Sequence, residues 1–132
     1  GFALLRAIKD GLPLQSAAII GSGDSIEGVF YRFSQQLHFS EKITERMITT
    51  VEKQFGTKLE TYSSSMSIKE IDIPLLIVHD KDDKEAPYEC SITLHDLARN
   101  SQLKLTSGLG HHRILRDSKT VQHIIQFLFQ QS

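Results

Sequence analysis

Tryptophan is absent and cysteine occurs once among 132 residues. The lone Cys90 excludes an internal disulfide framework and fits a reducing compartment, and its role suits a small hydrophobe better than a nucleophile. Long apolar runs are missing as well. No stretch approaches the roughly 20 residues that span a bilayer, and the first residues lack the basic region and apolar core of a secretory signal. A soluble, cytoplasmic protein with no membrane partner is expected. Nor is there an excess of one charge: 15 basic and 16 acidic side chains leave a net charge of -1 at pH 7. Without a charged field to gather polyanions, nucleic acid is not an expected partner. The length suits one domain, spanning 1–132, whose core buries roughly two thirds of the unfolded surface.

What is there alternates between helix-like and strand-like segments. Phe2 to Ile8 is apolar nearly all round a helix, and Gly11 and Pro13 end it. Ala17-Ala18-Ile19-Ile20 predicts a short buried strand that Gly21-Ser22-Gly23 releases into a loop. The stretch at about 24–71 is longer than a single crossover helix requires, so it predicts a helical insert. Ile26 to Phe33 suits a short helix that Gly28 interrupts. A clearer one starts at Ser40, places Ile43, Met47, Ile48, Val51 and Phe55 on one face, and closes at Gly56. Ser63-Ser64-Ser65 reads as a loop. Pro74 to Val78 predicts a strand buried on both faces, Pro87 the first turn of a helix with Cys90, Leu94, Leu97 and Ala98 inward, and Leu103 to Leu105 a last strand. Asp117 is placed to cap a final helix with Val121, Ile124, Ile125 and Leu128 on its buried side. Strands alternating with helices argue for an α/β fold with about three parallel strands.

Two motifs carry chemistry. The strand at Pro74–Val78 stops at His79-Asp80-Lys81-Asp82-Asp83, and the last strand is followed by Gly108-Leu109-Gly110-His111-His112. The two glycines free the backbone for positive φ, so the imidazole is expected to project from a loop. Ligands of open α/β sheets bind beyond the carboxyl ends of strands, so an acid after one strand and a histidine after the next are candidates for one site.

The succession of apolar strand, His, three residues, Asp83, three residues, Pro87, then Gly-x-Gly-His resembles the end of an α/β-hydrolase. On that resemblance Asp83 is the triad acid and His111 the general base, acting on a small-molecule ester or related acyl substrate without a cofactor. Family members carry a nucleophile earlier, in a G-x-S-x-G turn. No such turn occurs here. Gly1 to Leu5 resembles the residues just after it, which places the nucleophile about three residues before Gly1 and makes the chain the C-terminal half of a catalytic domain, in a partial α/β-hydrolase fold. The insert then resembles a cap, with Phe30, Tyr31, Phe33 and Phe39 either lining an acyl-binding surface or packing the insert onto the core. A strand leading into the nucleophile turn would pair with residues 17–20, so that edge is expected to be open and to favour a homodimer.

Asp80 and Asp82 rival Asp83 as the acid, and His112 rivals His111, but the motif spacing favours Asp83 and His111. Asp80 stands where the family usually has glycine, which raises the question of positive φ there. His79 suits a structural strand-end role, and His38, His95 and His123 suit the surface. A metal site is the competing chemistry, yet Asp80 to Lys84 lacks the glycine and alternating oxygen ligands of a calcium loop, and the adjacent His111 and His112 point differently. The alternative of another class is a non-catalytic interaction module that keeps the hydrolase fold.

Overall fold

The computed structural model describes residues 1–131. Three parallel strands, β1 (Ala17–Ile20), β2 (Leu75–Asp80) and β3 (Ser101–Thr106), form one sheet in the order β1-β2-β3. The register pairs Ala18 with Leu76 and Ile77 with Leu103. β2 therefore lies between two strands with both faces covered, and every one of its residues is buried. The sequence predicted that this strand ends at Val78. It runs two residues further, pairing His79 with Leu105 and Asp80 with Thr106, because both polar side chains find partners inside the fold.

Alternation along the strands divides the core. Leu75 and Ile77 face one side with Ala17 and Ile19, packing on Leu5 and Ile8 of α1 (Phe2–Lys9) and on Ile68, Ile71 and Leu94. Leu76 and Val78 face the other side and meet Ile114 and Phe127. Truncating a fully buried strand residue such as Ile77 to alanine removes contacts on a packed face and costs about 2–5 kcal/mol.

The segment between β1 and β2 is the helical insert. Its first helix, α2 (Ile26–Gln36), begins at Ser25, whose Oγ accepts from the Gly28 amide at 3.0 Å. Gly28 serves that cap and does not interrupt the helix. The helix stops at His38, which takes φ 55 in a position glycine usually fills. α3 (Glu41–Phe55) follows and closes at Gly56 with φ 68. The three serines are not a loop: Ser63 caps α4 (Ser64–Ile68) by accepting from the Met66 amide, Ser64 Oγ donates to Gly23 O, and the Ser65 amide donates to Asp24. These bonds tie the end of the insert to the loop that follows β1.

Past β2 come α5 (Glu89–Leu97), α6 (Gly110–Arg113) and α7 (Ser118–Gln130). Asp117 caps α7 as predicted, accepting from the Thr120 amide at 2.9 Å. Two of the four expected residues, Ile124 and Leu128, pack against the core beside Leu76 and Val78, and the other two do not. Thr120 and Phe127 are buried while Val121 and Ile125 are 37% and 48% exposed, since the large ring of Phe127 fills the space on Leu76 and Val78. Among the described residues no helix is long and apolar enough to cross a membrane.

Candidate functional site

Beyond the carboxyl end of β2 the chain folds tightly around Asp83. Its Oδ1 accepts from the amides of Glu85 and Ala86 at 2.8 and 2.9 Å, which fixes the plane of the carboxylate. Oδ2 accepts from His111 Nδ1 at 2.7 Å and from His79 Nε2 at 3.1 Å. The Asp83 side chain is only 1% exposed. Burial pushes its carboxyl up, but hydrogen bonds from the Ala86 amide, His111 and the Glu85 amide outweigh burial and hold it below the usual carboxylate range. With Nδ1 donating to a carboxylate, Nε2 is the ring nitrogen of His111 left to accept a proton.

His111 does not project from a loop. It lies in the short helix α6, and the two glycines before it, Gly108 and Gly110, take φ of 80 and 66 to turn the chain from β3 into that helix. Asp80 holds this turn. Fully buried, it accepts from the Leu109 and Gly110 amides, from Thr106 Oγ1 and from the Asp82 amide. Burial pushes the Asp80 carboxyl up, and these four hydrogen bonds, led by Thr106, bring it below the ordinary range. The question of positive φ at Asp80 disappears: it ends a regular strand, and among the described non-glycine residues only His38 has positive φ. Asp82 is exposed and accepts from the Gly108 amide, on the outer side of the same turn.

His79 is wholly buried behind Asp83. Its Nε2 faces both Asp83 Oδ2 and the carbonyl of Ala86 at 3.0 Å, and because a carbonyl only accepts, Nε2 carries the proton. Ser91 Oγ lies 2.6 Å from Nδ1 and fixes the ring's other side. His112 is 79% exposed and places Nε2 2.6 Å from a Glu85 carboxylate oxygen, apart from the Asp83 contact. His38 is exposed and His123 half-buried, whereas His95 is tied to Ser101 Oγ at 2.7 Å rather than free on the surface.

Gly21, the first residue after β1, supports His111 from the far side. Its φ is 58, and a Cβ there would stand 3.2 Å from both Cε1 and Nδ1 of the imidazole. Only a glycine lets the backbone lie this close to the ring in that conformation. Sequence reasoning missed this role, as it missed Asp80 and the His79–Ser91 pair. A glycine placed directly after a strand was the available signal for the first.

The imidazole opens onto a cleft of about 580 Å³ bounded by Gly1 and Phe2, Gly21 to Gly23, the inner side of α2 and the Glu85–Ala86 segment. Of the four insert aromatics, only Phe33 reaches it; Phe30 lies in a groove between α2 and α3, and Tyr31 and Phe39 line another. The helical period explains the division, because residues 30 and 31 point to other sides of α2 than residue 33. A carboxylate-held imidazole beside a cleft is the arrangement that takes a proton from a nucleophile and returns it to a leaving group.

No curated protein matched the sequence. Solved structures share the fold at low identity. An α/β hydrolase enzyme, MGS-MChE2, from the metagenome of lagoon sediments at Mar Chica, Morocco, is 16% identical with a TM-score of 0.63, over 98% of this chain and 56% of its own. Rv0554 from Mycobacterium tuberculosis is 12% identical with a TM-score of 0.67, over 98% of this chain and 61% of its own. The acylaminoacyl peptidase of Pyrococcus horikoshii is 13% identical with a TM-score of 0.65, over 98% of this chain and 22% of its own. The chain thus spans only part of the length of the structures it matches. At sequence level, residues 39–132 match the model of the family described as TAP-like protein, a match that covers α3, β2, β3 and the whole Asp83–His111 turn, so the chain belongs to the TAP-like family of α/β-hydrolases.

Proposed function

We propose that this chain carries the acid and the base of a hydrolase acting on ester or related acyl bonds, with Asp83 as the triad acid and His111 as the general base. The observation that carries the reading is the 2.7 Å bond from His111 Nδ1 to Asp83 Oδ2, which leaves Nε2 for the proton of a nucleophile. The buried carboxylate keeps the imidazole in that tautomer and stabilises the imidazolium formed when the proton arrives. The nucleophile and the oxyanion donors come from residues preceding Gly1, so that the chain is the C-terminal part of the catalytic unit. Two features support this. Gly1 and Phe2 line the cleft beside His111, and a Cβ on Gly1 would collide with the Ser22 side chain, so the backbone of residue 1 is pressed against the loop that backs the imidazole. The open edge of β1 is also where a strand leading into a nucleophile turn would pair.

On this reading the chain by itself hydrolyses p-nitrophenyl acetate no faster than its His111→Ala variant, since an isolated imidazole is a weak catalyst without nucleophile and oxyanion hole. A form extended at its N-terminus reacts covalently with a fluorophosphonate probe about three residues before Gly1, and loses that reaction on His111→Ala or Asp83→Asn. Robust turnover by the 132-residue chain that disappears when one of its own serines is replaced contradicts the assignment. An extended form that neither reacts with the probe nor turns over esters favours the other reading, a non-catalytic module built on the hydrolase fold.

A further inference from the structure

One wall of the cleft is a single stripe of α2. Val29, Arg32, Phe33 and Gln36 recur at helical spacing and all face it. Val29 and Phe33 are each 47% exposed, so the stripe presents two apolar side chains with a guanidinium between them. Arg32 is half-buried, and among the described residues it has neither a hydrogen bond nor an ion pair. Its planar group lies against the β1–α2 connection and the first turn of α2: a Cβ at Gly23 would come 3.4 Å from Nη2, and one at Gly28 would come 3.2 Å from Nη1. Two glycines therefore leave the room that the guanidinium occupies. Glu85 supplies the one carboxylate among the described residues lining the cleft, and it is engaged by His112 at 2.6 Å. Five donors in a fixed fork are thus held at the cleft wall with nothing to accept from them, and a partly desolvated cation without a partner favours an anion that can match the fork.

We propose that Arg32 is a carboxylate-binding subsite of this cleft, selecting acyl substrates that carry an anionic group joined to the reacting carbonyl by a short apolar stem. The class of substrate rests on the hydrolase reading above; the anion site itself does not. The carboxylate takes two parallel hydrogen bonds from the guanidinium, the stem lies on Val29 and Phe33, and the carbonyl end extends toward His111.

The test uses binding rather than turnover, so that it stands apart from the question of hydrolysis. Butyrate and its uncharged analogue butyramide are titrated into the chain while the Arg32 Nε–H and the Val29 methyl resonances are followed by NMR. Butyrate is expected to shift both sets saturably, and butyramide to leave the guanidinium resonance in place. Arg32→Gln is expected to weaken butyrate binding on the order of tenfold to a hundredfold, the loss of a charge-assisted bond. Arg32→Lys keeps the charge without the fork and is expected to bind between the two. Equal titration by butyrate and butyramide overturns the proposal. So does unchanged butyrate binding in Arg32→Gln. Binding through Arg32 in a protein whose extended form shows no His111-dependent turnover supports the anion site and removes only the ester chemistry.

Discussion

His79 and His111 hydrogen-bond to the same oxygen, Oδ2 of Asp83, at 3.1 and 2.7 Å. One ring is fully buried and the other opens onto the cleft. The buried ring fixes where Oδ2 lies, and Oδ2 fixes the tautomer of the exposed ring. His79 is therefore a positioning residue for His111.

His79→Phe fills the same space and abolishes three polar contacts, leaving Ser91 Oγ and the Ala86 carbonyl without a partner. The expected loss of stability is about 1–3 kcal/mol, seen as a lower urea midpoint with an unchanged slope. Adding Ser91→Ala removes one of the stranded groups, so the double variant is expected to be less than additively destabilised. A merely structural role for His79 leaves the downfield Nδ1 proton resonance of His111 unmoved. A positioning role shifts it.

Acid sensitivity follows from the two buried carboxyls. Asp80 and Asp83 are both held below the ordinary range in the folded state, while in the unfolded chain each titrates at the ordinary aspartate value of about 3.9. As pH falls, the unfolded chain takes up these protons first. The stability they contribute is complete above about pH 5 and is lost as pH drops through the folded-state values below about 3.9. Asp80→Asn removes one of the two titrations and leaves at least one of the donors around Oδ2 unmatched. Its stability at pH 7 is expected to be lower by about 1–3 kcal/mol, read from a lower urea midpoint, with a flatter decline toward pH 3. An acid limb as steep as that of the parent contradicts this role for Asp80.

Much of this was legible in the sequence. The β1 limits, the helical stop at Gly56, the Asp117 cap and the contact between Asp83 and His111 all follow from local signals: apolar runs, turn residues and motif spacing. What was not legible depends on what a side chain meets across the fold. Asp80 looks like the start of a polar turn and His79 like the end of a strand, yet both are fully interior, because Thr106, Ser91 and the α6 amides reach them from elements 12 to 30 residues away. The outward turn of Val121 and Ile125 has the same origin, since period alone does not say that Phe127 takes the core face. The three serines read as a loop because their acceptors, Gly23 and Asp24, lie 41 residues earlier.

Gly21→Ala tests the support behind His111. The substitution adds a Cβ 3.2 Å from the imidazole at a backbone φ of 58, so both strain and crowding oppose it. Stability is expected to fall by about 1–2 kcal/mol from the left-handed backbone alone. The more specific outcome concerns the ring, which must move away from Asp83 to make room. Loss or upfield movement of the His111 Nδ1 proton resonance reports that displacement. A destabilised variant whose resonance is unchanged shows instead that the loop yields and the ring stays.

The outer edge of β1 gives the last prediction. Among the described residues β1 pairs with β2 alone. The Ala17 and Gly21 amides donate inward to Pro74 and Val78, so by alternation the amides of Ala18 and Ile20 face the open side. Two unmatched donors beside apolar side chains form a template for another strand. We propose that two copies of the 132-residue chain pair there about a two-fold axis, which sets β1 antiparallel to its copy and extends the sheet to twice its strands. Sedimentation at micromolar concentration is expected to show a dimer. Ala18→Pro removes one outward donor and leaves the inward ladder intact, a change an edge strand tolerates. It is expected to give a folded monomer with the parent's circular dichroism. A parent chain that sediments as a monomer throughout the micromolar range defeats the pairing, and a dimer that survives Ala18→Pro moves the interface elsewhere on the surface.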